Sequence, residues 1–453
     1  MSTMSEAHTL DNTAVTEPDS SLRIGVLSFH TSKETKAILN AIRGLGHEPI
    51  WLREDNTATW IETGTIGFKP EVDVVLNRLL VTKAERPIED LGIAMSYAAA
   101  RPMLNPPESV LRAMHKYGAA AALVEAGVDV PDAYMAFSHT TINEDAQPLE
   151  GTAVYKPAIG TNGKRMSLLE VGSNPPPSIA KRRAFLQEFV ANEAENTFDV
   201  RVYVVGGTIV AAMKRYAPDG EWRTNVSQGG QVEDMSHDLP AIAGDLAINA
   251  TSTIGLDYAG VDLLVHEDEW YILEVNATAG FTGLYRATGI SPAAHIARLA
   301  IKRGGGGYDD DRFDQLSSIF DDSMPLDVSS PAKQAQNHRR TIGYTERVQV
   351  GGETDVQWAI GKSDTGAKRT SVDMEVAARV GAGPIVGTTR IKSGTLSTAQ
   401  TRPLVEVDVN VGDRWHTVTA SIEDRSHMSY PILLGRDILK SYVVDIGRRV
   451  GEE

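Results

Sequence analysis

The 453-residue chain has no cysteine. That absence excludes disulfides, thiolate metal sites and a cysteine nucleophile. No apolar run approaches the roughly 20 residues that span a bilayer, so no membrane helix is expected. The first twenty residues are polar and acidic, with neither a basic end nor an apolar centre. They do not read as a signal peptide, and a cytoplasmic location is the plain expectation. There is no His-Glu-x-x-His zinc motif. Positive charge is in short supply: 44 Lys+Arg face 60 Asp+Glu, for a net charge of −16. General nucleic-acid affinity is therefore not expected, although a local basic groove stays open. Arginine outnumbers lysine within an acidic total, which leans toward a salt-adapted cytoplasm.

The length suits roughly two to four domains. Residues 1–20 read as a disordered tail. Leu22 to Leu27 is a buried-strand run, a helical pattern covers Lys33 to Leu45, and Glu48–Leu52 and Asp73–Leu76 are further strand candidates. This alternation predicts a small open parallel sheet over 21–105. Pro106-Pro107 marks a boundary, and one Ala-rich helix is expected from Ser109 to Ala126, stopped by Gly127 and Pro131. A mixed α+β region follows to Arg303. Four glycines (Gly304 to Gly307) open a stretch of acidic, Ser and Pro residues that reads as an interdomain linker over 304–340. From Thr341 to the end, short Val/Ile/Thr strands between Gly, Asp and Asn turns predict an all-β barrel or sandwich.

The most informative stretch is Gly260 to Val265, a polar break, then Trp270 to Asn276. It reads as a β-hairpin. Glu274 and Asn276 share a face, while Leu273 and Val275 take the other. A register centred on Asp268 sets Asp262 opposite Glu274. Two carboxylates and an amide oxygen then converge, an all-oxygen set that suits Mg²⁺. The same pattern also describes a solvated edge hairpin. Lys156 ends the strand Thr152 to Tyr155 and precedes a loop with Gly160 and Gly163. Such a loop can cradle phosphate beside the lysine charge, or can simply be a turn.

In order along the chain stand Lys116, Lys156 with its glycine loop, Gln187-Glu188-Phe189, Asp199-x-Arg201, Arg223-Thr224-Asn225, and Asp262, Glu274 and Asn276. With these motifs the span from Pro102 to Arg303 resembles the RimK-like ATP-grasp ligases, which add glutamate to protein or coenzyme carboxyl ends. The resemblance implies a fold of α/β and α+β type: a pre-ATP-grasp domain at 21–105 and an ATP-grasp domain at 106–303. It also implies ATP as cosubstrate with Mg²⁺, or Mn²⁺ as the alternative ion. Asp262, Glu274 and Asn276 would be the metal ligands. Lys116 and Lys156 would hold phosphates. Gln187, Glu188 and Phe189 would form the adenine hinge, with Asp199, Arg223, Thr224 and Asn225 as further nucleotide contacts. Arg215 and Arg223 would stabilise the acyl phosphate or the phosphoryl group in transfer. The partners implied are an amino acid, glutamate first, and a carboxylate acceptor on a protein tail or coenzyme. Two departures stand out: Arg165 where the loop usually carries a second glycine, and Thr278-Ala279-Gly280 in place of Ser-Pro-Gly.

Asp364-Thr365-Gly366-Ala367 and the later Pro431 to Arg436 resemble the retropepsin-fold RimB-like family over 341–453. Aspartic-peptidase chemistry needs two facing carboxylates. One Asp-Thr-Gly motif then requires a second chain, so a homo-oligomer is expected with Asp364 as the catalytic residue. Asp364 also fits a turn in a non-catalytic binding barrel. Lys368-Arg369 intervene before Thr370-Ser371, a departure from the family loop. Two functions remain: a ligase whose product is trimmed by its own C-terminal domain, or a ligase whose barrel only docks substrate.

Overall fold

The computed structural model describes residues 21–84, 86–137, 141, 149, 151–160, 166–169, 184–190, 197–218, 224, 231–323, 340–391 and 400–450. The chain divides into two compact units on either side of residue 330.

In the first unit, strands Arg23–Leu27, Glu48–Leu52, Val74–Asn77 and Met103–Leu104 form a parallel sheet. Its strands are apolar runs buried on both faces, as a parallel sheet covered by helices requires. Helix Lys33–Gly44 covers one face, and its start is capped by the Ser32 hydroxyl, which accepts from Thr35 N.

Two antiparallel sheets follow. One pairs Ala133–Ala136, Ala184–Glu188, Ala153–Pro157 and Ser167–Leu169 in that order. Tyr155 and Leu186 form a small core on one face with Ala136 and Leu169, while Lys156 and Gln187 take the other by strand alternation. The larger sheet runs Val232–Asp234, Thr208–Tyr216, Phe198–Val205, Tyr258–His266, Glu269–Asn276. Along its central strand Val200, Val202 and Val204 are fully buried in the core. Asp199, Arg201 and Tyr203 alternate onto the opposite face, and that face becomes the site wall.

Two expectations need correction. The single helix over Ser109–Ala126 is two helices, Pro107–Met114 and Lys116–Glu125. The break at His115 has a cause: its Nδ1 accepts from Gly118 N and its backbone bridges Ile159. Lys116 N donates to Ala158 O. Lys116 thereby starts a helix beside the lysine-bearing strand. The linker expected from Gly304 is also partly structured. Asp310–Ser317 is a helix capped by Asp309. Its Phe313 is 6% exposed, with Arg298 stacked over its ring at 3.9 Å. Only 324–339 of that stretch lies outside the described residues, as does the expected tail at 1–20.

The second unit is a closed β-barrel. Around the ring run Thr345–Gly351, Val356–Ser363, Ile432–Leu434, Ser371–Asp373, Arg414–Glu423 and Gln400–Val411, the last pairing back to the first. Two of its pairings are parallel and the rest antiparallel. Closure leaves no free edge in the ring. The all-β expectation is met as a mixed barrel. Gly435 is needed for space: a Cβ there would lie 2.3 Å from the Arg369 carbonyl carbon.

Candidate active site

A cavity of about 570 Å³ lies inside the first unit. Its walls are the two antiparallel sheets and the carboxyl-end loops of the parallel sheet. Ligands of open α/β sheets bind outside those strand ends.

Asp262 and Glu274 are register partners in the hairpin. The turn is two residues, Glu267 and Asp268, both at positive φ (49° and 67°), as a tight hairpin favours. That turn alone would offset the pairing by one residue. A bulge between Asp262 and Leu263 restores it. The bulge also changes the facing of one residue: Leu273, expected on the far side, lines the cavity together with Glu274. Val275 is in the core, 1% exposed.

The charged groups are closely paired. Arg201 donates from Nε and Nη2 to Asp262 at 2.7 and 2.8 Å, a bidentate grip. Arg215 donates twice to Asp199, 2.6 Å each, and its Nη2 lies 3.0 Å from Asp262 Oδ2. Arg215 is 3% exposed. The Thr224 hydroxyl donates to Asp199. Lys116 Nζ meets Glu274 Oε1 at 2.6 Å. Lys156 Nζ donates to Gln187 Oε1. Asn276 Oδ1 accepts from Thr278 N at 3.0 Å, which fixes the amide orientation.

Burial is the largest influence on Asp262, Asp199 and Lys156. It would raise the Asp262 pKa, but Arg201 and then Arg215 outweigh it and hold the carboxyl well below the usual range. Asp199 shares Arg215 and lacks the second guanidinium, so burial wins and pushes it up. Burial, reinforced by the Lys116 charge, lowers Lys156 to about 8, against the pull of Glu274 and Asp262.

The backbone N–H groups of Glu188 and Phe189, the residues expected at the hinge, donate to Asp132 O and Thr152 O. Glu188, Phe189 and Val190 all line the cavity. Arg223 and Asn225 lie outside the described residues, as do Arg165 and Gly163. Gln187 of the same motif lines the cavity as well, and so do Glu34 and Arg78, which were not expected.

Residues 113–300 match the model of the RimK-like ATP-grasp domain. A probable alpha-L-glutamate ligase of Serratia proteamaculans (strain 568) is 32% identical over 211 residues, which cover 45% of this chain and 69% of the relative. The chain belongs to the RimK-like ATP-grasp family. A probable alpha-L-glutamate ligase of Haemophilus influenzae (strain PittEE) is also 32% identical, over 43% of this chain and 65% of the relative. The chain thus spans just under two thirds of that protein. Among solved structures, the ATP-grasp ligase PsnB, complexed with a phosphomimetic variant of a minimal precursor, Mg and ADP, superposes with a TM-score of 0.50. Its identity is 18%, with 62% of this chain and 98% of that chain covered. At that identity the likeness shows the ATP-grasp fold.

Residues 344–452 match the model of the retropepsin-like aspartic endopeptidase RimB. Asp364 sits in the loop after strand Val356–Ser363. Its Oδ1 accepts from Gly366 N and Ala367 N at 2.9 and 3.1 Å. The following Thr370 is held by Asp437: N at 2.9 Å and Oγ1 at 2.8 Å. No helix among the described residues is long and apolar enough to cross a membrane.

Proposed function

We propose that the first unit is an ADP-forming carboxylate–amine ligase that adds an amino acid, glutamate first, to the carboxyl end of an acceptor. The observation that carries this reading is the placement of Asp262 against Glu274 in a cavity that also gathers Lys116, Lys156, Arg201 and Arg215 from an acidic chain.

The donor set fits a hard divalent cation. Asp262, Glu274 and Asn276 supply oxygen only, and no group of three His, Asp or Glu among the described residues forms a protein-only cage. A partial shell of this kind suits Mg²⁺ completed by phosphate oxygens and water. When bound, the ion would neutralise charge on the phosphates during transfer.

The chain's own residues do the rest. Lys116 and Lys156 approach from two different elements and would grip the phosphates as point charges. Arg215 is locked between Asp199 and Asp262, so its guanidinium is fixed before substrate arrives, and a fixed charge costs no reorganisation during reaction. Thr224, held on Asp199, continues that wall. With the Glu188 and Phe189 N–H groups used in the sheet, adenine would be met next to Val190. The γ-phosphoryl passes to an oxygen of the acceptor carboxylate and ADP departs. The amine then attacks the acyl carbon, and phosphate leaves with the acceptor's oxygen. No covalent protein intermediate is needed.

ADP release assayed with a panel of amino acids tests this. ADP formation that needs both Mg²⁺ and an amino acid is expected. Hydrolysis of equal rate without any amine contradicts it.

For the second unit we infer an aspartic-peptidase lobe that trims the ligase product, with Asp364 paired to Asp364 of a second chain. One Asp-Thr-Gly loop on one barrel supports this, because two carboxylates must share a proton. The competing reading is a docking barrel. Loss of tail removal in Asp364→Asn supports the first; unchanged removal supports the second.

A further inference from the structure

Among the described residues, Arg78 is a buried charge with two unpartnered nitrogens. It follows strand Val74–Asn77 at the carboxyl end of the parallel sheet and is 1% exposed. Its Nε and Nη1 have no hydrogen-bond partner. It lines the cavity. Burying a guanidinium without an ion-pair partner is costly, and structures pay it where an anion completes the pair.

The surroundings narrow the anion. Tyr203 and Tyr258 pack against the guanidinium. Burial raises the Tyr203 phenol to about 12, with Arg78 opposing the rise. Neutral phenols beside it leave the arginine's charge uncompensated. A carboxylate close enough to feel Arg78 is Glu34, in the first turn of helix Lys33–Gly44. It forms no ion pair with Arg78. Instead Glu34 Oε1 accepts from the Thr282 hydroxyl at 2.8 Å. Burial would raise the Glu34 pKa, but Thr282, backbone N–H groups and Arg78 together keep it low, so the carboxylate stays charged. Gly280 gives this group room: a Cβ there would lie 3.3 Å from Glu34 Oε1.

A positive and a negative group thus line one end of the cavity, near each other but unpaired. The matching ligand carries both charges on adjacent atoms. We propose that Arg78 and Glu34 form an amino-acid subsite, in which Arg78 takes the α-carboxylate of the incoming amino acid and Glu34 its α-ammonium. The subsite rests on the ligase reading, and it names where the amine substrate docks. It lies further along the same wall as the metal pair: Asp199, Arg201 and Tyr203 alternate along one strand, and Tyr203 leads to Arg78. The nucleotide end and the amino-acid end are then joined by one strand face.

The test is binding, kept apart from turnover. The full chain, saturated with Mg²⁺ and a non-hydrolysable ATP analogue, is titrated calorimetrically with the twenty amino acids. The best binder is then compared with its α-amide. Wild type should bind the α-amide roughly 10- to 100-fold more weakly, the range expected for a lost charge-assisted pair. Arg78→Met should weaken the free acid by a similar factor, bind the α-amide no worse than wild type does, and keep nucleotide affinity within about twofold. Arg78→Lys should fall between, since lysine keeps the charge but not the fork. If Arg78→Met does not fold, the wild-type comparison and Arg78→Lys still decide. Equal binding of acid and α-amide by wild type overturns the subsite, as does undiminished binding by either variant. Amino-acid binding that behaves as described without any ADP formation would instead overturn the ligase reading and leave the subsite standing.

Discussion

Asp262 and Glu274 face each other across one hairpin, yet each is gripped by a different part of the chain. Arg201 and Arg215 hold the first, and Lys116 holds the second. The pair is therefore set by both the sheet and a helix start. Glu274→Ala should leave the fold intact, because Glu274 lies at the cavity wall and not in the core. It should lower ADP formation by at least about 100-fold, the upper range for disturbing metal-site residues. A folded Glu274→Ala protein with undiminished ADP formation sinks the metal assignment.

Lys156 gives a pH signature. Burial holds its pKa at about 8, so above that pH the free site loses the charge. Phosphates favour the protonated form and raise the pKa again. Nucleotide binding near pH 8.5 should therefore take up protons, measured as a dependence of binding heat on buffer ionisation. Lys156→Met should remove this uptake. The stability sign follows from the same depression. Between the folded value of about 8 and the ordinary 10.5 the unfolded chain binds more protons. This group's contribution to stability therefore improves as pH rises through that window. Proton uptake unchanged in Lys156→Met would show that another group carries it.

Phe313 anchors what the sequence presents as linker. Phe313→Ala should destabilise the first unit by about 3–5 kcal/mol, the usual cost of emptying a buried aromatic site. Urea unfolding of residues 21–323 checks this. A loss below about 1 kcal/mol would mean that the helix is only loosely docked.

Asp364 is tied into its own loop through Oδ1. Asp364→Asn keeps an acceptor oxygen for Gly366 and Ala367, so the barrel should hold its melting temperature while any tail removal stops. Removal at the wild-type rate by Asp364→Asn excludes the aspartic mechanism.

Much of this was legible in the sequence. Strand alternation around Asp262 and Glu274 announced their pairing, and motif order announced the ATP-grasp fold. The break at His115 was not legible. Alanine-rich sequence favours one helix, and the competing bond from Gly118 N to the His115 ring and the bridge to Ile159 are tertiary. Leu273 was misplaced because a bulge has no composition signal. Arg78 was missed because one arginine after an apolar run looks like an exposed strand end. Only the fold shows that it is buried and lacks an ion-pair partner.

The most direct test of the central claim follows oxygen. The chain is given ATP, Mg²⁺, an unlabelled amino acid and an acceptor peptide whose terminal carboxyl carries ¹⁸O, and the released phosphate is weighed by mass spectrometry. An acyl-phosphate route predicts one ¹⁸O in each phosphate, with one ADP for each amide formed. Phosphate without ¹⁸O alongside ADP would mean that water, not a carboxylate, receives the phosphoryl group, and would contradict the account.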